Sequence, residues 1–345
     1  MPTELENDLI VSKLAPVLAG VILGGWRAEP IHGGQSGSRV VRIVPEQGDP
    51  VIVKLLHPDA VPPHLRQDYP GIAASEFHFY TEMMPGLHLP GPKVPVAGRL
   101  PDGTFFLVME DLAIAHSIFP EGHVWTNQEL QSVMRAYGVL HGRSLRLLRQ
   151  GAAPDWLSAD PRETYNPARV LSCIRAFAAN PWTAEAARSV AGATGLDALV
   201  NHVAGALAEE PPVVLYNDFY PPNVAIPTDG GPAKLFDWQL VGTGPSQLDI
   251  VNIGLLGRGA AVAGVDRVGL LDLYLDTLAQ ETGQRPDTGA FLRLHRHAAL
   301  LGWGVFMPRM LKAMGQGNAE GRQFSPGMAR LFLNCMADWT EALDA

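Results

Sequence analysis

One stretch of the chain, LYNDFYPPNVAIPTDGGPAKLFDWQLVG, carries the polar side chains that phosphoryl transfer requires. Asp218 is followed by Asn223 in a D-x-x-x-x-N spacing, and Asp237 comes after a turn-rich segment. Phosphoryl transfer needs a carboxylate that orients a hydroxyl and accepts its proton, together with oxygen ligands for Mg²⁺. We assign Asp218 as the candidate base and Asn223 and Asp237 as candidate metal ligands. The spacing alone is a weak signal, because Asp and Asn are also common turn residues.

A second signal is a lysine inside an apolar, β-like run. Lys54 lies in VIVKLL, and a charge in such a setting needs a partner because unpaired buried charges are costly. The helix-like stretch that follows offers Glu76 and Glu82. Six residues correspond to about 600° of helical rotation, so both glutamates cannot reach one lysine. The competing explanation is an edge-strand lysine whose amine reaches water, with surface glutamates.

Together these residues resemble the aminoglycoside phosphotransferase and choline kinase superfamily, relatives of the protein kinases, over roughly residues 26 to 310. The resemblance implies that Lys54 holds the α and β phosphates of a nucleotide and pairs with Glu76. The family usually reads His-Gly-Asp where this chain has Tyr216, Asn217 and Asp218. The departure falls on scaffold positions and leaves the candidate base in place.

The resemblance also assigns two segments to the nucleotide. HGGQSGSRVV would form the turn that covers the phosphates, and FFLVMEDL resembles the hinge, where the carbonyl of Glu110 and the amide of Leu112 would take the adenine edge. Each has a plainer explanation, since the first also fits an ordinary glycine-rich turn and the second the end of a strand. The candidate cofactor-binding residues are Gly34, Ser36, Gly37, Lys54, Glu76, Glu110 and Leu112.

Two further residues match family positions that we interpret as scaffold. Asp249, in SQLDIVNI, resembles an acid that supports the catalytic loop, and His141, in GVLHGRSL, matches a helix position. A buried helical histidine is more often a hydrogen-bonded core residue than a catalyst.

The elements that must position these residues indicate an α+β fold. Short β-rich runs broken by Gly, Pro and Asp turns predict two hairpins before Leu112, with one helix between them over GIAASEFHFYTEMM. Helical periodicity dominates afterwards, interrupted by β-like runs at 213–218 and 233–238. We predict a bilobal protein-kinase-like fold, with a small β-rich, nucleotide-binding lobe over 1–112 that ends in the hinge and a mainly α, catalytic and acceptor-binding lobe over 113–345.

Composition narrows the possible partners and the compartment. The net charge is −9, and the basic residues form no block, which argues against nucleic acid and anionic membranes. The start of the chain lacks a basic, apolar leader, and no run approaches the roughly 18 apolar residues of a membrane span. Cys173 and Cys335 stand far apart without a metal-binding pattern. We expect a cytoplasmic protein, monomeric or homodimeric.

The resemblance implies an ATP-dependent kinase that uses Mg²⁺ and phosphorylates a hydroxyl of a small molecule, a metabolite or an antibiotic, with GTP as the alternative donor. A catalytically silent nucleotide-binding module of the same fold and a helical scaffold without nucleotide are the alternatives. A silent module predicts loss of the base or a metal ligand, and neither is lost. The stretch RLHRHAALLGWGVFMPRML contains Arg and His but no carboxylate, which favours a neutral or anionic acceptor over a polycationic aminoglycoside.

Overall fold

The structure is a computed structural model that describes residues 15–22, 24–31, 37–63, 71–120, 123–157, 166–179, 188, 191–255, 265–295, 298 and 301. Contacts divide the chain into two compact units. Unit 1 comprises Met1–Ser117 together with the short segment Leu235–Leu240. Unit 2 comprises Ile118–Lys234 and Val241–Ala345. Asp237 therefore belongs to the same unit as Lys54, although it is distant in sequence.

Unit 1 is built on a five-stranded antiparallel sheet in the order β1-β2-β3-β5-β4. The predicted hairpins are present: β2 pairs with β3 and β4 pairs with β5, each across a Gly-containing turn. Lys54 pairs with Val40 on one side and with Leu107 on the other, so it lies on the central strand. The strands are β1 (Trp26–Ile31), β2 (Arg39–Pro45), β3 (Val51–Leu56), β4 (Val96–Arg99) and β5 (Phe105–Glu110).

Side-chain alternation separates the two faces of this sheet. Val53 and Leu55 of β3 join a buried apolar cluster that also includes Leu18 and Phe106. Successive side chains of a strand point to opposite faces. Lys54 therefore projects from the face opposite to this cluster. The lysine is not an edge-strand residue that reaches water, because its strand is central and it is only 6% exposed.

The single helix predicted in unit 1 is present but contains a wider turn. It consists of α1 (Ile72–His78), a π-helical turn over Phe79–Met83 and α2 (Met84–Leu87). Pro85 has no N–H to continue the hydrogen-bond ladder, and its ring crowds the carbonyl four residues earlier. The widened turn at this position is consistent with that disruption. The predicted apolar face is confirmed: the buried side chains include Ile72, Phe79, Tyr80 and Met83.

Unit 2 is mainly helical. Among the helices bounded below, α3 (Asn127–Arg149) is the longest, and it begins with a capping box in which Thr126 and Glu129 satisfy each other's backbone amides. Gly138 allows α3 to approach α7 closely, because a Cβ there would lie 2.6 Å from Cβ of Thr277. The helices are α3 (Asn127–Arg149), α4 (Pro167–Ala179), α5 (Leu196–Glu209), α6 (Gln247–Leu255) and α7 (Arg267–Thr282).

Short strands flank the predicted functional segments. β7 pairs antiparallel with β10, with Leu215 opposite Gly242. The two predicted β-like runs are shorter than expected, because the backbone turns into the left-handed region at Asn217 (φ 62°) and at Asp237 (φ 62°). The remaining strands are β6 (His116–Ile118), β7 (Val213–Leu215), β8 (Val224–Pro227), β9 (Lys234–Leu235) and β10 (Gly242–Gly244). Within the described ranges, no helix combines the length and hydropathy needed to cross a membrane.

Candidate active site

Unit 1 contains a buried cluster of three charged side chains. Nζ of Lys54 lies 2.7 Å from Oε2 of Glu76 and 2.8 Å from Oδ1 of Asp237. Lys54 is supplied by β3, Glu76 by α1 and Asp237 by the segment Leu235–Leu240. The predicted ion pair between Lys54 and Glu76 is therefore present. The contact between Asp237 and Lys54 was not predicted from the sequence.

The pKa values in this cluster reflect a balance between burial and charge. Burial alone would lower the pKa of Lys54, but Asp237 and then Glu76 outweigh it and raise the pKa above its ordinary value. Burial raises the pKa of Glu76 to about 7, against the opposing effect of Lys54. Lys54, which is shared by two carboxylates, therefore stays protonated more readily than an ordinary lysine. Glu76, the more deeply buried carboxylate, is protonated more readily than an ordinary glutamate.

Glu82, the competing candidate, lies elsewhere on the same element. It is exposed, and its carboxylate is 2.6 Å from Nδ1 of His78, one helical turn away. Glu76, by contrast, is 2% exposed and faces the sheet. The structure selects Glu76 as the partner of Lys54.

Aromatic packing fixes the segment that carries Asp237. Trp238 is fully buried and stacks on Phe79 with ring centroids 3.8 Å apart, and its indole N–H donates to the carbonyl of Leu235 over 3.0 Å. Asp237 adopts a positive φ that costs energy for a non-glycine residue unless the surroundings enforce it. Its side chain remains 30% exposed. The carboxylate is thus held by Lys54 on one side and open to solvent on another.

Unit 2 contains the second group of predicted residues, in the loop after β7. Nδ2 of Asn223 donates to Oδ2 of Asp218 over 2.9 Å. The N–H of Asn223 donates to the carbonyl of Tyr220, which closes the 3₁₀ turn Pro221–Asn223. Pro221 pre-sets the backbone for this turn, and the turn spans the spacing that the D-x-x-x-x-N pattern marks. The candidate base and one candidate metal ligand are therefore hydrogen-bonded neighbours.

A buried carboxylate supports this loop from behind. Asp249 accepts the backbone N–H of Tyr216 over 2.6 Å and that of Asn217 over 2.9 Å, one with each oxygen. His141 lies 3.2 Å from the same carboxylate through Nε2, and its Nδ1 is 2.9 Å from the hydroxyl of Tyr274. Asp249 and His141 thus lie buried behind the loop, as their interpretation as scaffold residues predicts, and their roles remain predictions.

The chain matches a known enzyme family over most of its length. The profile of the phosphotransferase enzyme family (APH) matches residues 27–296. This chain belongs to the phosphotransferase enzyme family. A search of curated proteins found no match.

Solved structures of several phosphotransferases share the fold of this family member at low sequence identity. Macrolide 2'-phosphotransferase MphH from Brachybacterium faecium matches with a TM-score of 0.53 and 16% identity, over 95% of this chain and 98% of its own. Choline kinase LicA from Streptococcus pneumoniae matches with a TM-score of 0.55 and 12% identity, over 98% and 99%. A thermostable mutant of aminoglycoside phosphotransferase APH(4)-Ia, solved with AMP-PNP and hygromycin B, matches with a TM-score of 0.54 and 12% identity, over 97% of each chain. The predicted kinase-like α+β fold is confirmed.

The departure of this phosphotransferase from the usual His-Gly-Asp has a local explanation. Asn217 stands at the usual glycine position and takes a φ of 62°, and asparagine tolerates this conformation better than most residues. Tyr216 stands at the usual histidine position, is fully buried, and donates its hydroxyl to the carbonyl of Asn223 over 3.0 Å.

The nucleotide-binding candidates outside the charged cluster are only partly covered by the structure. Gly34 and Ser36 lie outside the described residues. Gly37 has a φ of 80°, and a Cβ there would lie 2.1 Å from the carbonyl oxygen of Ala60, so glycine is required for packing. This requirement is independent of any nucleotide.

At the predicted hinge, the N–H of Glu110 is already used by the carbonyl of Lys93, over 2.8 Å. Leu112 opens the 3₁₀ turn Leu112–Ile114, and within the described ranges its amide has no hydrogen-bond partner. An amide without a partner at this position is compatible with the predicted adenine contact.

Sequence reasoning missed several residues beside these sites. Asp111 is buried, accepts the N–H of Ala113 and pairs with Nε of Arg42 at 2.7 Å, which braces the predicted hinge. Gln239 is buried two residues after Asp237. The only sequence signal for Gln239 is its position two residues after Asp237. No local pattern predicts the contact between Arg42 and Asp111.

The donor chemistry of two residues suits Mg²⁺. Asn223 uses its amide nitrogen for Asp218, which leaves its side-chain oxygen as the donor. Asp237 offers a partly exposed carboxylate. Within the described ranges, no group of three or more His, Cys, Asp or Glu side chains is arranged for a metal. Each of the two side chains, taken by itself, offers a hard oxygen donor of the kind that Mg²⁺ prefers.

Proposed function

We propose that this phosphotransferase transfers the γ-phosphoryl group of ATP to a hydroxyl of a small molecule. The observation that carries the proposal is the lysine buried between two carboxylates. Lys54 is 6% exposed, lies 2.7 Å from Glu76 and 2.8 Å from Asp237, and keeps its charge by virtue of both. A fixed cation of this kind is suited to holding nucleotide phosphates.

In this proposal Lys54 binds the α and β phosphates, and Glu76 holds its amine in place. Asn223 and Asp237 each give an oxygen to Mg²⁺, which neutralises phosphate charge when it is bound. The turn with Gly34, Ser36 and Gly37 covers the phosphates. The carbonyl of Glu110 and the amide of Leu112 take the adenine edge.

Asp218 orients the acceptor hydroxyl and accepts its proton as the phosphoryl group is transferred. Its carboxylate is held at Oδ2 by the amide of Asn223 over 2.9 Å. The loop on which it lies is fixed by two backbone hydrogen bonds to Asp249. Positioning is the main contribution that a kinase makes to this reaction, because the transition state needs little covalent help.

For the acceptor we propose a neutral or anionic hydroxyl compound. The stretch RLHRHAALLGWGVFMPRML, which begins at Arg293 of the described part and continues beyond it, carries basic side chains without a carboxylate. Basic side chains repel a polycationic acceptor and attract an anionic one.

The test is a screen for acceptor-dependent release of ADP from ATP and Mg²⁺. The panel should contain neutral and anionic hydroxylated metabolites beside a macrolide, hygromycin B and choline, which are named for structural relatives. GTP serves as the alternative donor, and EDTA removes the metal in the matched control. We expect ADP release that needs both acceptor and metal.

Thermal stabilisation by ATP and Mg²⁺ accompanies the screen, because a ligand that binds only the folded state raises the unfolding temperature. Stabilisation without ADP release from any acceptor would support a silent nucleotide-binding module instead. Absence of stabilisation by ATP and by GTP would contradict nucleotide binding altogether.

A further inference from the structure

Tyr216 links the two ends of the loop that carries Asp218. Its side chain is 0% exposed, and its hydroxyl donates to the backbone carbonyl of Asn223 over 3.0 Å. Its own N–H donates to Asp249 over 2.6 Å. The residue is therefore tied to the buried support at its backbone and to the far end of the loop at its side chain.

Asn223 is constrained at three points as a result. Its carbonyl accepts from Tyr216, its N–H donates to Tyr220, and its side-chain nitrogen donates to Asp218. The first two contacts fix the peptide groups on either side of Cα, and the third fixes the side chain. Of these three contacts, the one to Tyr216 is made by a residue that precedes Asp218 in the chain. The direction in which the Asn223 oxygen points is therefore coupled to the tyrosine hydroxyl.

We propose that Tyr216 is a positioning residue, which orients Asn223 relative to Asp218 through the hydrogen bond to the Asn223 carbonyl. This inference rests on the proposed function, in which Asn223 gives an oxygen to Mg²⁺. A phenol reaches further from the backbone than the imidazole usual at this position in the family. The hydroxyl of Tyr216 can therefore reach the backbone carbonyl of Asn223 directly.

A purely structural role is the rival explanation, since the Tyr216 ring also packs edge to face against Tyr137 with centroids 6.3 Å apart. Tyr216→Phe keeps that ring and removes only the hydroxyl. Tyr137→Phe is the matched control. Tyr137 is equally buried, and its hydroxyl has no hydrogen-bond partner among the described residues. Any general effect of losing a buried hydroxyl in this core appears in both variants.

The experiment is a Mn²⁺ titration in the presence of AMP-PNP, followed by electron paramagnetic resonance, with far-ultraviolet circular dichroism to check the fold. We expect Tyr216→Phe to weaken apparent Mn²⁺ binding by about fivefold to tenfold, the typical consequence of one lost hydrogen bond. Tyr137→Phe should bind Mn²⁺ like the unmodified protein. The increase in unfolding temperature caused by Mn²⁺ and AMP-PNP should shrink in Tyr216→Phe alone.

A second measurement separates positioning from simple weakening of the fold. In a double-mutant cycle, Tyr216→Phe should add little to Asn223→Ala, because the tyrosine acts only through the asparagine. Equal Mn²⁺ affinities for Tyr216→Phe and Tyr137→Phe would overturn the inference. So would a lower unfolding temperature with an unchanged ligand-induced increase. If the unmodified protein binds no Mn²⁺ with AMP-PNP, the proposed function fails, and this inference fails with it.

Discussion

The Lys54 cluster in unit 1 and the Asp218 loop in unit 2 hold their polar residues by different kinds of contact. In the cluster, one amine is shared by two carboxylates, and the side chains of Lys54 and Glu76 are 6% and 3% exposed. In the loop, a buried acid, Asp249, accepts hydrogen bonds from backbone amides, and the candidate base Asp218 accepts one from the neutral side-chain amide of Asn223. Ion pairs between side chains therefore hold the first region in place, whereas hydrogen bonds to backbone amides hold the second.

This difference has a consequence for substitution. Removing Lys54 leaves Glu76 buried without its cation, so we expect folding and nucleotide binding to suffer together. Changing Asp218 leaves every backbone support of its loop in place, so chemistry should be lost without stability. Side chains at anchored backbone positions can also vary, as Tyr216 and Asn217 do relative to the family's usual His-Gly.

The largest effect should come from the cluster. Lys54→Ala leaves Glu76 buried without its cation and should lower the free energy of unfolding by about 3 to 5 kcal/mol. The activity of Lys54→Ala and of Glu76→Ala should each fall strongly, while the double variant should be little worse than Lys54→Ala. Urea unfolding and kcat/KM measure the two effects.

Lys93→Ala is the matched control, because the Lys93 side chain is exposed. It should unfold like the unmodified protein. Losses that multiply independently in the double variant would show that Glu76 does not act through Lys54.

The loop's anchor should give the next largest effect. Asp249→Asn replaces the charged acceptor of two buried backbone amides with a neutral amide, and hydrogen bonds to charged groups contribute about 1.5 to 3 kcal/mol each. We expect the free energy of unfolding to fall by about 2 to 4 kcal/mol. Turnover should also fall, because Asp218 would be displaced. If the variant is measurably destabilised but keeps full turnover, Asp249 does not position Asp218.

Asp237→Ala should act on the metal. Removal of the carboxylate leaves phosphate charge unneutralised and should weaken Mg²⁺-dependent nucleotide binding on the order of 100-fold. Isothermal titration with ATP at several Mg²⁺ concentrations measures the change. An unchanged metal dependence would place the Mg²⁺ site at other residues.

The smallest effect is expected at Glu82, on the exposed side of the helical element that also carries Glu76. Glu82 pairs with His78 at the surface, and exposed ion pairs contribute about 0 to 1 kcal/mol. Glu82→Ala should leave kcat/KM unchanged and shift stability by less than about 1 kcal/mol. A loss of activity comparable to that of Glu76→Ala would contradict the separation of the two glutamates.

The parts of the fold and site that were predictable follow from local patterns. A lysine within VIVKLL, the D-x-x-x-x-N spacing and the turn-bounded β runs each carry their own signal, and the structure has the pair Lys54 and Glu76 and the contact between Asp218 and Asn223. The roles of these residues in binding and catalysis, and the lobe boundary at Leu112, remain predictions.

The unpredicted parts depend on contacts between distant residues or on competition within an element. Arg42 and Asp111 are 69 positions apart, and nothing in either neighbourhood pairs them. The contact of the Tyr216 hydroxyl with Asn223 exists only once the 3₁₀ turn brings that carbonyl within reach. The π-helical turn at Phe79–Met83 depends on how the helix accommodates Pro85, which has no backbone N–H to donate.

The central claim is that the Lys54 cluster holds the nucleotide and Asp218 carries out the chemistry, and one pair of variants tests it directly. ADP release with an identified acceptor and isothermal titration with AMP-PNP and Mg²⁺ should be measured for Asp218→Asn and Lys54→Ala side by side. We predict that Asp218→Asn lowers kcat by about 10² to 10⁴-fold with nearly unchanged AMP-PNP affinity, whereas Lys54→Ala loses the affinity itself. Near-normal turnover in Asp218→Asn, or full AMP-PNP affinity in folded Lys54→Ala, would contradict the account.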